Sequence, residues 1–238
     1  MNNQDFNSGL LDFLGRSPTP FHAVEQMAEM LLAAKFARLK EDDRWQLEPE
    51  TGYFVTRNGS SLIALRTGSS SPDEQGLRLI GAHTDSPCLK VKPVPEMTQH
   101  GCFQLSVEVY GGVLLGPWFD RDLSLAGRET GRLENGSIDS QLVDFRRPIA
   151  TVPSLAIHLN RQVHNNRTLN PHKEVVLLLG SDDQAGGDFR QLLLDQVCHQ
   201  NPGSIFETIL DYEISCYDTQ SPALVGLNND FIASARLD

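Results

Sequence analysis

Residues 77–87 read LRLIGAHTDSP. An apolar run of this kind, closed by a glycine, predicts a buried strand that ends at Gly81. The polar string His83-Thr84-Asp85 then falls just beyond the strand's carboxyl end. In α/β sheets that is where ligands gather. The segment points to an α/β fold and says where in that fold to look for chemistry.

The chain before it supplies helices and a hairpin. Phe6, Leu10, Leu11 and Leu14 recur at helical spacing, so one face of a first helix is apolar. SPTP at 17–20 breaks that helix, with Thr19 as the N-cap of the next and Pro20 at its first position. The run FHAVEQMAEMLLAAKF continues it, with His22 in the first turn as a surface or capping histidine. YFVTRN and SLIALRTG flank Asn58-Gly59, a strong hairpin signal.

From about Pro93 the texture changes. PVPEM reads as a connection. FQLSVEVYGGVLL, GRETGRLENGS, SQLVDF and TVPSLAIHL follow as extended segments, and they predict a mainly β region. Residues 165–172 read as a polar loop. GSDDQAGGD precedes a helix at DFRQLLLDQVCHQ, and ILDYEISCYDTQSPALVG returns to extended structure. These shifts predict an inserted domain over residues 94–220, with 1–93 and 221–238 belonging together.

Composition narrows the function. There are 31 acidic and 20 basic residues, a formal charge of −11, and no long basic run, a poor footing for phosphate contacts and hence for nucleic acid. No stretch reaches the ~18 apolar residues of a membrane helix. The start, MNNQDFNSGLLDFLGRS, lacks the features of a secretory signal. Cys88, Cys102, Cys198 and Cys216 form no C-x-x-C pair, so reduced, mostly buried thiols in a cytoplasmic protein are expected.

Among candidate sites, His83-Thr84-Asp85 is the sharpest. A metal-bound imidazole needs its second nitrogen held by an acceptor, and a nearby carboxylate serves. His83 is therefore a candidate ligand and Asp85 its orienting partner; a histidine hydrogen-bonded within its own loop is the plainer alternative. Ser86 lacks G-x-S-x-G context, and neither Ser86 nor Cys88 comes with a positioned base. H-E-x-x-H does not occur. Asp120, Arg121 and Asp122 read as a salt-bridged turn at an assembly interface rather than acid–base machinery, with Trp118 and Phe119 suiting that interface. His158 lies in the apolar string LAIHLNR, where a satisfied core histidine is the ordinary expectation.

At GAHTDSPCLKVKP the chain resembles the first metal-ligand motif of the aspartyl aminopeptidase and vacuolar aminopeptidase I family of zinc metallopeptidases. SPTPFHAV, VEVYGGVLLGPWFDRDLSLAGR, VPSLAIHLNR and YDTQSPALVGLNNDFIASARLD agree in order. The resemblance spans essentially the whole chain and looks closest to bacterial members. It implies an α/β zinc-exopeptidase-like catalytic domain interrupted by a mainly β dimerisation domain.

The resemblance further implies that His83 binds one metal, that Asp85 orients it, and that Asp238 bridges two. His158 would reach into a neighbouring subunit's site to contact substrate, although motif matching also allows it as a metal ligand. The expected activity is hydrolysis of the N-terminal residue of peptides by water activated between two Zn²⁺ ions, with Co²⁺ or Mn²⁺ able to suit the same N/O ligands. The expected assembly is a homodimer building to a higher form such as a dodecamer. Family members continue past Asp238, and the continuation should carry the general-base glutamate and the remaining ligands. The chain therefore reads as an N-terminal portion, inactive alone, with a non-catalytic oligomerisation fragment as the alternative.

Overall fold

A computed structural model describes residues 3–161, 163, 168–181, 187–203 and 206–237. They fall into two units, Met1–Ser86 and Pro87–Asp238.

The first unit opens with helices α1 (Asn3–Arg16) and α2 (Pro20–Ala33). Pro20 sits in the first turn of α2 and Thr19 caps it, its hydroxyl accepting from the His22 amide at 3.5 Å. The same hydroxyl lies 2.7 Å from His22 Nδ1. His22 is thus a capping residue, but a buried one. Thr19→Ala should cost about 1 kcal/mol, read as a lower denaturant midpoint with an unchanged slope; an unmoved midpoint would mean that the cap contributes nothing.

A three-stranded sheet, in order β1 (Ala37–Arg38), β2 (Gly52–Arg57) and β3 (Ser61–Arg66), completes this unit. The β2–β3 hairpin turns through Asn58 and Gly59, both at positive φ, as the Asn-Gly signal predicts. Phe54, fully buried, and its neighbours Tyr53 and Val55 anchor the sheet's core.

The strand expected over Leu77–Gly81 does not form. Leu77 is 74% exposed, Leu79 87% and Ile80 102%, and among the described residues no strand pairs with them. Apolar composition supplies the tendency to be buried, but a strand also needs a neighbour's backbone groups.

The second unit is a six-stranded antiparallel sheet with one long helix. The strands are β4 (Cys88–Gln99), β5 (Cys102–Tyr110), β6 (Leu123–Leu133), β7 (Ile138–Asp144), β8 (Val176–Ser181) and β9 (Phe206–Asp218). Their spatial order is β7-β6-β9-β4-β5-β8. PVPEM is not a connection. It lies inside β4, where a register shift between Val91 and Glu96 accommodates two residues that cannot donate to the ladder. Helix α3 (Phe189–Gln200) begins at the Asp188 cap and buries Phe189, Leu193 and Val197. Phe189 and Leu193 belong to the same core as Leu89, Leu105, Leu125 and Ile214. At Gly127, mid-strand in β6, a Cβ would lie 1.9 Å from the Glu213 carbonyl oxygen, so only glycine fits there.

TVPSLAIHL, expected as a strand, forms only two isolated bridges at Thr151 and Val152. It then turns through residues 157–159. Pro153 withholds a donor after the second bridge, and Leu155, Ile157 and Leu159 are exposed. The polar loop expected at 165–172 lies partly outside the described residues and ends in a helical turn, Pro171–Glu174. Residues 182–186, within GSDDQAGGD, also lie outside them. After β9 a short ribbon pairs β10 (Ala223–Val225) with β11 (Phe231–Ala233) and leads into Ser234-Ala235-Arg236-Leu237. Of the cysteines, only Cys216 is buried, whereas Cys198 is exposed. Among the described residues no helix is long and apolar enough to cross a membrane.

Candidate metal-binding residues

His83 and Asp85 share one loop of the first unit. Thr84 between them fixes it by donating to the Ser60 carbonyl in the β2–β3 turn at 2.8 Å. His83 Nδ1 lies 2.8 Å from the Asp85 backbone carbonyl oxygen and 3.5 Å from its Oδ1. A carbonyl oxygen only accepts, so the proton in that bond sits on Nδ1. In the neutral ring the lone pair then belongs to Nε2, the form in which imidazole binds a metal. Orientation by Asp85 was the expectation. The shorter contact, however, runs through its main chain, with the carboxylate behind it.

A zinc ion fits this donor. Zn²⁺ takes neutral imidazole and carboxylate ligands, and its histidines have the second nitrogen held by a carboxylate or carbonyl, the arrangement seen here. Both side chains are accessible, 58% for His83 and 41% for Asp85. Among the described residues no group of three or more His, Cys, Asp and Glu side chains converges as a metal cage. Asp238, the other expected ligand, lies outside the described residues.

His158 is exposed, in the turn at 157–159, so it is not the satisfied core histidine that its apolar string suggests. The Asp120–Asp122 segment is indeed an ion-paired turn. Asp120, at positive φ, accepts from the Ser154 amide at 2.8 Å. Arg121 reaches Asp218 at 3.5 Å, and the Asp122 carbonyl takes both the amide and hydroxyl of Thr219. Trp118 and Phe119 pack partly against the core of the same unit, which accounts for much of their apolar surface.

Two features of the second unit were not foreseen. One is a polar cluster at the ends of β7 and β9. The Tyr217 hydroxyl donates to Asp144 at 2.6 Å, and the Arg236 guanidinium lies over the Tyr217 ring, 5.3 Å from its centroid. Burial pushes the Tyr217 hydroxyl far above its ordinary range, and the neighbouring Asp144 carboxylate adds to this. The other is Glu129, a carboxylate in the sheet core that burial lifts to about 8. An alternating strand pattern gives no warning of either, because the residues that meet are remote in sequence.

Comparison with known proteins agrees with this architecture. The model of the family described as aminopeptidase I zinc metalloprotease (M18) matches residues 13–238. A curated relative, the probable M18 family aminopeptidase 2 of Pseudomonas syringae pv. tomato, is 54% identical over 237 residues, covering 98% of this chain and 54% of its own. The chain thus spans about half the length of the curated relatives it matches. A chain in the cryo-EM structure of the Ape4 and Nbr1 complex superposes with TM-score 0.84 at 33% identity, over 93% of this chain and 45% of that one. The mApe1 dodecamer of Saccharomyces cerevisiae gives TM-score 0.79 at 27% identity, over 98% and 52%.

Proposed function

This chain belongs to the M18 family of aminopeptidase I zinc metalloproteases, and from that premise we propose that the full-length protein hydrolyses the N-terminal residue of peptides at a two-zinc centre. The observation that carries the reading is the His83 imidazole, whose Nδ1 proton is committed to the Asp85 carbonyl. That commitment leaves Nε2 as the metal-binding nitrogen.

Each residue has a defined task. His83 would hold one zinc, and Asp85 would keep the ring in the correct tautomer and orientation. Asp238 would bridge the two ions through its carboxylate, and the rest of the donor set would come from sequence such as the relatives carry beyond the matched half. Bound zinc would supply Lewis acidity, polarising a carbonyl and lowering the pKa of water to about 7. His158 is exposed on a turn of the second unit, which supports a role towards a partner outside its own chain. We assign it to the substrate of a neighbouring subunit, as a hydrogen-bond donor to the oxyanion that develops as water attacks. A homodimer formed through the 94–220 region, building towards a dodecamer like that of mApe1, would bring it there. The cellular site consistent with this reading is the cytoplasm.

The test uses the full-length protein. Dialysis against a strong chelator should abolish release of N-terminal residues from short peptides, and Zn²⁺ should restore it. Co²⁺ and Mn²⁺, compared at matched concentrations, identify the preferred metal. Hydrolysis that persists in protein shown by elemental analysis to be metal-free would end the proposal.

A further inference from the structure

We propose that Arg236 is a positioning residue, which fixes the main chain that delivers Asp238 to the metals. The inference rests on the reading of Asp238 as a ligand.

The segment leading to Asp238 is held at three points. The β10–β11 ribbon ends at Ala233. The Ser234 hydroxyl then accepts from the Arg236 amide at 3.2 Å, closing a tight turn. Finally the Arg236 side chain places its guanidinium over Tyr217, 5.3 Å from the ring centroid. The carboxylates of Asp144 and Asp218 lie within its field. Asp144 is itself 8% exposed and held by the Tyr217 hydroxyl at 2.6 Å. The Asp144 backbone is tied to α3, its amide donating to Gln200 and its carbonyl accepting from Gln196, both at 3.1 Å. The guanidinium therefore sits on a platform built from β7, β9 and α3.

Desolvating a cation is costly, and a buried ionic cluster is usually no more stable than an apolar replacement of the same size. What such a cluster supplies here is location. Two residues of chain span at most about 7 Å, so the place where Arg236 is held sets the limit on what a ligand at position 238 can reach. An outer residue that orients a ligand is worth about 10–100-fold in metal affinity.

The experiment is a zinc-affinity measurement on the full-length protein, by competition with a chromophoric chelator, for wild type, R236A, R236M and D238A. Methionine keeps the length and apolar stem of the side chain, so R236M carries the test even where R236A does not fold. The expected result is a roughly 10–100-fold weaker zinc site in R236M, read on protein shown by circular dichroism to be folded at the assay temperature, whatever the shift in its thermal midpoint. A merely structural arginine would shift the midpoint and leave the affinity of the folded protein alone. R236M with wild-type zinc affinity, beside a D238A variant that has lost zinc, would overturn the positioning role and leave the role of Asp238 standing. Wild-type affinity in D238A would remove the Asp238 reading itself.

Discussion

Replacing His83 by alanine in the full-length protein is expected to lower its zinc content and abolish the proposed peptide hydrolysis. The loss should exceed the roughly 10–100-fold that removal of an outer-shell partner costs, because a directly coordinating nitrogen disappears from a site of about four donors. Asp85→Asn should do much less. The bond that fixes the ring comes from the Asp85 main chain at 2.8 Å, whereas the carboxylate stands at 3.5 Å, and the variant keeps the main chain. The structure thus predicts an ordering, with a severe effect at position 83 and a milder one at 85. Zinc per chain from elemental analysis, alongside turnover of a short peptide, measures both. Full zinc content in the His83→Ala protein would end its role as a ligand, and an Asp85→Asn protein as damaged as His83→Ala would show that the carboxylate, not the carbonyl, holds the ring.

Local signals were legible where the physics is local. The Asn58-Gly59 turn, the Thr19-Pro20 start of α2 and the Asp188 start of α3 all depend on a few consecutive residues, and each formed where expected. The alternation in FQLSVEVY appears as the alternating burial of β5. Failures came where an element needs a distant partner. Leu77–Ile80 has the composition of a buried strand but pairs with none of the described strands. The apolar residues of TVPSLAIHL suggest a strand, but Pro153 limits what its backbone can pair. At the candidate site, the H-x-D string singles out His83 as a candidate, and geometry adds which atom of Asp85 holds its ring. The cluster of Arg236, Tyr217 and Asp144 could not be read from the sequence, since its members come from three segments that only the fold brings together.

Glu129 makes the second unit sensitive to alkali. It shares the core-facing register of β6 with Leu123 and Leu125, and it is fully buried. Its pairing neighbours on the flanking strands are Gln141 and Tyr212. The Tyr212 hydroxyl, however, donates to the Lys92 carbonyl, and among the described residues neither carboxylate oxygen of Glu129 finds a hydrogen bond. Desolvation of the charged form lifts the group from 4.5 to about 8. The folded state therefore keeps a proton that the unfolded chain releases. Its stabilising effect is complete below pH 4.5 and declines as the pH rises towards 8, because the unfolded state binds fewer protons over that window. A difference of this size corresponds to no more than about 5 kcal/mol, and less once solvent relaxes around the site. Glu129→Gln, neutral at every pH, should match wild type near pH 5 within about 1 kcal/mol and exceed it increasingly up to pH 8.5. Denaturant midpoints of the two proteins across that range decide the matter, since other titrating groups cancel in the difference. Parallel curves would mean that the carboxylate is already satisfied in the native fold and that its burial imposes no pH dependence.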